Sequence, residues 1–542
     1  MKKLLFLTLF IAGAVFNNKA QSDMATVTMG TKTKASFFTY LDDIVYSDKS
    51  GVIATIRKKS KVSLEKYNMS MNLETSMPIK LKLKLEAGIA EYKYCIAIGG
   101  KLYAFYDLHS KKEKRHQYIL YNIDLGSLIM SDSYTVIEDI TYTRVERVSP
   151  GMALAGMKGN SGSANIIMSE DSTRFLVLSE IPGDKNDVER FKISVYDDQL
   201  NKKWSKEVEI PYPAMKIARL KVEIDEEFNV YYVGRFKDSK RAEEVDYVIF
   251  RFDEKNDTGK ELIISNLVDN YKLKDFNFFV NGTTGEIYAT GFYLSPDKKD
   301  KLNGAYFYII DKKNLTVAKK KYYPAAEILA KVNETADDND DGEKTKKEER
   351  KEKREANSFD YSYDLRKIVY KEGGGLVAFF EIYYFYTTTT TTTDSQGRTT
   401  TRTTYHYEYN DIIIVNLDEK GELLWARKIP KFQHTRNDGG YNSSFATFLN
   451  GDMIYLIFND NKRNSDAESN GKIYPSFGTR KNLTTSIVSI DPKGNIKRES
   501  LMPFTESEVL VVPRQAVQIE DKKMIIYGRY NVSQRFFSID LK

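Results

Sequence analysis

Along most of the chain, apolar and polar positions change places at every second residue in short runs, and the runs are broken by clusters of Asp, Asn, Gly and Lys. A period of two marks half-buried strands, and the clusters between them read as turns. Five stretches make the pattern plain: KISVYDDQLNKKWSKEVEI, YVIFRFDEKNDTGKELII, YFYIIDKKNLTVAKKKYY, DIIIVNLDEKGELLWARKI and SIVSIDPKGNIKRESLM. Each is a β-rich run, a turn opened by an Asp, and a second alternating run; the turn residues are Asp197, Asp253, Asp311, Asp418 and Asp491. Fainter copies put Asn68, Asp124 and Asp540 in the same place. Upstream of each marker stands another strand, as in GVIATIR, KLYAFYDL, NVYYVGRF or DMIYLIFN, and before these comes a first strand, clearest in RLKVEI and FNFFV. The unit is thus four strands joined by short turns, recurring about eight times.

Four-stranded antiparallel units in series, with almost no helical periodicity elsewhere, resemble a β-propeller. The resemblance runs over nearly the whole chain after its first residues, and it is to an architecture: no repeated Trp-Asp dipeptide, kelch glycine pair or sialidase-type Asp box occurs. The expected fold is all-β, a propeller of about eight blades with about seven as the alternative. The last unit stops at Lys542 after its third strand, RFFSIDLK, whereas ATVTMGTKT near the start belongs to no complete unit. Residues Ala25 to Met29 are therefore predicted to pair beside the last strand and close the ring, because closure removes an edge open to aggregation.

Two segments depart from the repeat. In residues 324–359, the spacing of Ile328, Leu329 and Val332 predicts a short amphipathic helix, and DDNDDGEKTKKEERKEKREA follows, almost entirely charged. Within it Asp337, Asn339, Asp341, Gly342 and Glu348, with Glu343 between, fit the spacing of an EF-hand loop, in which oxygen ligands surround calcium and the Gly permits a sharp turn. Against calcium stand Lys344, where paired loops pack an apolar residue, and KKEERKEKREA, which has no apolar face. The competing reading is a solvated charged loop, partly helical or disordered.

The second departure, residues 383–409, reads YYFYTTTTTTTDSQGRTTTRTTYHYEY. Aromatics and β-branched threonines favour strands, and the central Asp, Ser and Gly favour a turn. The flanks are the second and third strands of the sixth unit, so the pair is predicted to continue beyond the ring as one long hairpin, reaching roughly 35 Å at about 3.3 Å per residue. Two strands alone in water are marginal, and threonine on both faces pins register poorly. Such an arm is expected to lie on another surface, a partner's or the propeller's own; the remaining reading is a Thr-rich loop that accepts glycans. The candidate contact residues are Tyr383, Tyr384, Tyr386, Thr390, Arg398, Arg402, Tyr405, His406, Tyr407 and Tyr409.

Composition sharpens the setting. With 542 residues, 41% hydrophobic and 13% aromatic, the chain has ample material for a core. The formal charge is +6, and Lys2, Lys3 and Lys19 supply half of it, which leaves no reason to invoke nucleic acid. MKKLLFLTLFIAGAVFNNKA reads as a secretory signal, residues 1–20, ahead of a propeller over 21–542; Asn18 is not the small residue preferred near the cut. Its apolar run is too short to span a bilayer, and no second run of spanning length occurs. Cys95 is the only cysteine, so no intramolecular disulfide can form, and YKYCIAIGG makes it a buried small apolar residue. The chain is expected to be exported, to the periplasm or the cell surface.

Searches for chemistry return little. The four histidines, His109, His116, His406 and His434, show no metal-ligand spacing, and no phosphate-cradling or dinucleotide glycine motif occurs. GNSGSA places Ser161 in a setting similar to a chymotrypsin-like nucleophile, but Asn160 and Ser163 replace two of its neighbours and the reading is a turn. Trp204 and Trp425 follow two repeat turns at matching places and read as structural. Function is accordingly expected to be non-enzymatic: a protein-binding or scaffolding component of a bacterial envelope assembly, contacting envelope or surface proteins through the hairpin. The alternative is a propeller that binds or hydrolyses glycan with acidic and aromatic side chains at one mouth of the ring.

Overall fold

The computed structural model describes residues 19–36, 38–110, 113, 115–141, 164–181, 187–237, 246–256, 259–264, 267–268, 271–281, 284–294, 302–333, 363–371, 374–465 and 473–542. These residues form eight antiparallel sheets that follow one another along the chain, over 39–79, 82–141, 164–213, 217–264, 267–324, 363–436, 446–503, and finally 510–541 together with strands from 19–34. Five of the sheets have the expected four strands. The second has five, the fifth six and the eighth seven, because short edge strands are added and because the first strand of the fifth and eighth is broken in two. The four-strand unit read from the repeat is thus the common core of each sheet.

Three of the turn aspartates make the same pair of bonds. Asp197 Oδ1 accepts from the backbone N–H of Gln199 and Asn201 at 3.0 and 2.9 Å. Asp491 repeats this with Lys493 and Asn495 at 2.9 and 2.8 Å, and Asp418 with Lys420 and Glu422 at 2.9 and 2.6 Å. A carboxylate that satisfies two turn amides fixes where one strand ends and the next begins.

Every sheet shares an apolar cluster with the next. Phe191 of the third stacks on Tyr232 of the fourth at 5.3 Å, Tyr247 of the fourth on Phe276 of the fifth at 5.0 Å, and Phe292 of the fifth meets Phe380 of the sixth at 4.4 Å. The clusters continue through sheets six and seven, then seven and eight. Phe536 of the eighth then packs on Tyr67 of the first at 4.4 Å, so the ring of interfaces is closed. Each such ring buried on both sides is worth about 1.5–3 kcal/mol, which is how a chain with one buried, unpaired cysteine holds together. The first full-length strands of successive sheets approach one another, 39–48 with 88–98 and 217–224 with 277–281, which puts them toward the inside of the ring.

Closure follows the predicted route: Ala25 pairs with Leu541, Val27 with Ile539 and Met29 with Phe537, antiparallel. The expected helix is also present as Ala325–Asn333; it buries Ile328 and Val332 in the cluster between sheets five and six, with Leu329 packed at its margin. Residues 334–362, including the candidate calcium ligands Asp337, Asn339, Asp341, Glu343 and Glu348, lie outside the described residues, as do residues 1–18 of the leader. Among the described residues no helix is long and apolar enough to cross a membrane.

Candidate functional site: a hairpin arm and its buried root

The second and third strands of the sixth sheet, Leu376–Thr393 and Thr399–Leu417, run 18 and 19 residues. Their inner halves are buried in the ring, whereas Tyr384 through Thr403 are exposed without a break. Pairing continues from Tyr383 opposite Tyr409 to Thr393 opposite Thr399. At the tip, Asp394 Oδ1 accepts from the N–H of Gln396 and Arg398 at 2.9 and 2.8 Å, and Gly397 takes the positive φ of 77° that the turn requires. The arm therefore stands off its own propeller, and the reading in which it packs there is not what the described residues adopt.

Support along the arm is lopsided. The fourth strand, Leu423–Arg436, follows it only as far as His406 opposite Arg436. There Asn437 ends the ladder: its N–H donates to the Tyr405 carbonyl at 2.9 Å, and its Oδ1 accepts from the Tyr405 N–H at 2.9 Å. Beyond that point the described arm is two strands.

Register divides the arm into two unlike faces. One carries Phe385, Thr387, Thr389, Thr391 and Thr393 opposite Tyr407, Tyr405, Thr403, Thr401 and Thr399, without a charge. On it Phe385 lies 5.2 Å from Tyr407, and three cross-strand threonine pairs, 389 with 403, 391 with 401 and 393 with 399, join hydroxyl to hydroxyl at 3.4 Å. The other face carries Tyr384, Tyr386, Thr388 and Thr390 opposite Glu408, His406, Thr404 and Arg402. Here Tyr386 stacks on His406 at 4.5 Å and donates to Glu408 Oε1 at 3.2 Å. His406 holds Thr388 Oγ1 through Nε2 at 2.8 Å and His434 Nε2 through Nδ1 at 3.0 Å.

All ten predicted contact residues lie on this arm, in different settings. Tyr409 is buried, with the guanidinium of Arg366 5.4 Å from its ring and that of Arg514, from the eighth sheet's inner loop, at 4.8 Å. A Cβ at Gly440 would run into the same ring. Arg366 also covers Tyr383 at 4.9 Å. His406 is buried between Tyr386 and His434. These three anchor the arm; Tyr384, Tyr386, Thr390, Arg398, Arg402 and Tyr405 are exposed, and Tyr407 is half-buried.

Below the root lies a polar network that the repeat pattern did not single out. Lys431 Nζ donates to Glu381 Oε1 at 2.7 Å, to the Tyr409 carbonyl at 2.9 Å and to Gln433 Oε1 at 3.0 Å. The second oxygen of Glu381 accepts from Ser444 Oγ at 2.8 Å and from Arg366 Nε at 3.0 Å. Gln433 passes the chain to Asn459, whose amide holds the carbonyls of Asn442 and Val511, each at 2.7 Å. Burial pushes the Lys431 ammonium below its ordinary value, and the Glu381 carboxylate works against that. The one signal in the sequence was the lone charge of Glu381 in the apolar run VAFFEIYY; Lys431 sits in RKIPKFQH beside Arg427 and Lys428, where nothing sets it apart.

Near the axis, the inner strands bring a second group together. Glu223 pairs with Lys221 and accepts from the Val280 N–H at 2.9 Å, and Phe279 stacks on Tyr370 at 3.6 Å. Burial raises both Glu223 and Glu170, and the charge of Glu223 raises Glu170 further. A separate cavity of about 210 Å³, lined by Asp42, Asp43, Tyr92, Lys93, Tyr94 and Cys95 among others, is smaller than the usual ligand chamber. Burial pushes the Cys95 thiol up to about 12, which makes it inert. Trp204 and Trp425 each donate their indole N–H to a turn carbonyl of the next sheet, Phe228 and Pro492, at 2.9 Å. Among the described residues no group of three or more His, Cys, Asp or Glu is placed to hold a metal ion; Ser161 lies outside them.

No family model and no curated protein matches the chain. Among solved structures it is similar to the WD40 domain of SCAP from fission yeast, with 8% identity and a TM-score of 0.36 over 95% of this chain and 98% of that one. The β-propeller domain of the Trilobed protease from Pyrococcus furiosus gives 12% and 0.34 over 88% and 98%. Prolyl oligopeptidase B from Galerina marginata gives 10% and 0.35 over 91% of this chain, which spans 56% of that one. At such TM-scores the superpositions decide nothing about activity, and the propeller architecture rests on the sheet order and interfaces described above.

Proposed function

We propose that the protein is an exported, non-enzymatic β-propeller that serves as a protein-binding or scaffolding component of a bacterial envelope assembly, with residues 383–409 as its contact arm. The observation that carries this reading is the contrast between the two ends of the arm. Its root is clamped by a fully buried ion pair and by two guanidinium groups over Tyr409. Its outer half exposes both faces. A paired strand ladder with no surface beneath it is marginal alone, so a rigid root is what presents such a ladder to something else. The leader-like MKKLLFLTLFIAGAVFNNKA supports export.

The second reading, a glycan-binding or glycan-hydrolysing propeller, draws support from Glu223, Phe279 and Tyr370 on the inner strands together with Glu170 in the turn after the strand Ala164–Met168. In-cell crosslinking and affinity capture, comparing the natural chain with one whose residues 387–404 are replaced by a short Gly-containing turn, separates the two. Loss of one or a few envelope proteins from the capture, with the variant folded, supports the arm. An unchanged capture rejects it and directs attention to glycan arrays and the inner strands.

A further inference from the structure

We propose, resting on the reading of the arm as the contact element, that the occupant of its uncharged face is the same face of a second copy of this chain. Three observations lead there. The threonine hydroxyls on that face are paired with one another across the strands at 3.4 Å, so each already has a partner within its own ladder. The opposite face spends its polar groups on charged and imidazole partners, Glu408 and His406 among them. The two faces of one hairpin thus differ in what they leave for a neighbour, and only one of them suits a dry contact.

The sequence of that face also selects the occupant. Three identical threonine pairs in a row offer nothing by which to read a particular foreign side chain, but they are palindromic. A two-fold axis through the pair 391 and 401 lays pair 389 and 403 over pair 393 and 399 of the other copy. The strands then run antiparallel, and the exposed rings of Phe385 and Tyr405 reach the tip of the other arm. Gly397 at that tip has open space around it. Identical β-branched segments with low charge and no proline interdigitate in this manner. The antiparallel direction also carries the two propellers to opposite ends of the joined arms. A face of roughly 35 by 10 Å is small beside the usual 800 Å² or so per partner, so the dimer forms at high local concentration.

The test uses the chain's lack of accessible thiols, since Cys95 is buried. Thr391→Cys puts a single thiol on the uncharged face at the two-fold position, and Thr390→Cys puts one on the opposite face. With a short bis-maleimide that spans the roughly 10 Å between packed sheets, Thr391→Cys is expected to shift from monomer to twice the mass, while Thr390→Cys stays monomeric. Light scattering of the natural chain is expected to show a mass rising with concentration, and Thr391→Arg, exposed and folded, is expected to hold it at the monomer. A natural chain that stays monomeric, or equal crosslinking by both cysteines, overturns the proposal. If the natural chain is monomeric and arm replacement still removes captured envelope proteins, self-pairing fails alone and the contact arm survives. If the capture is unchanged while Thr391→Cys crosslinks selectively, the self-pairing stands and the envelope partner is the part that fails.

Discussion

The ammonium of Lys431 lies 2.7 Å from Glu381 Oε1, and both side chains are completely shielded from solvent. They come from the second and fourth strands of sheet six and meet across the third, just where the strands leave the ring. Such a pair is poor evidence for net stability, because desolvation of both ions offsets their attraction, but breaking it leaves one buried charge alone. Glu381→Ala is therefore expected to cost about 3–5 kcal/mol in chemical denaturation. Replacing the pair together, Glu381→Leu with Lys431→Met, is expected to recover most of that loss. A double variant as unstable as the single one would show that the backbone carbonyl of Tyr409 and the Gln433 amide, not the ion pair, hold the root.

The turn aspartates make a second test, spread round the ring. Asp197 is drawn two ways: burial raises it, but Lys203, Asn201 and the turn amides together hold it at about 2. A depressed carboxyl contributes stability that is complete above its unfolded value near 3.8 and fades as pH falls toward 2. Asp197→Ala is expected to lower stability by about 1 kcal/mol at neutral pH, and the gap from the natural chain should close in acid. A gap that persists at pH 2 would place the effect in strand packing.

These aspartates also mark what the sequence could show. Alternation and turn chemistry are local, so strands, turns, ring closure by Ala25 to Met29 and the hairpin at 383–409 could be read directly. The broken first strands of sheets five and eight could not, since they turn on contacts such as Asp275 with Phe292 across 17 residues. The root network was hidden for the same reason: Arg366, Glu381, Lys431 and Ser444 come from separate segments and meet only when sheets six and seven close. Spacing cannot announce a constellation assembled in that way. The faces of the arm needed register, which a run of seven threonines does not supply.

Asp275 stands at one of those breaks, and its titration has the opposite sign to that of Asp197. Burial raises its carboxyl to about 6, although the Phe292 N–H, donating to Oδ1 at 2.7 Å, pulls it down in part. A raised carboxyl binds its proton more tightly in the folded state, so stability falls as pH climbs from about 4 to about 6 and is level above. Asp275→Asn keeps an oxygen for Phe292 and removes the charge. It is expected to be more stable than the natural chain by roughly 1 kcal/mol above pH 6 and to lose that margin toward pH 4. Asp275→Ala, which strands the amide, is expected to be destabilised by about 1–3 kcal/mol at either pH. Parallel thermal melts across that window check both; equal pH dependence in Asp275→Asn and the natural chain would assign the slope to another group.

His406 links the arm to pH. Removal from water, then Arg436 and His434, lower its imidazole from the ordinary value near 6.5, and Glu408 opposes them. Its two nitrogens hold Thr388 and His434, and a nitrogen facing a nitrogen at 3.0 Å needs one donor and one acceptor. The neutral ring therefore fits, with Nδ1 and the His434 nitrogen sharing a single proton. A lowered imidazole gives stability that is complete above about 6.5 and lost as pH falls through that value toward the folded one. Hydrogen exchange is expected to show the amides of residues 387–405 losing protection on acidification, after correction for the intrinsic rate, while those of 409–417, behind the Arg366 and Arg514 clamp on Tyr409, keep theirs. His406→Gln, which cannot take up a proton in this range, is expected to abolish the difference. Equal protection of both segments from pH 7.5 down to about 5 would show that the histidine pair does not govern the root.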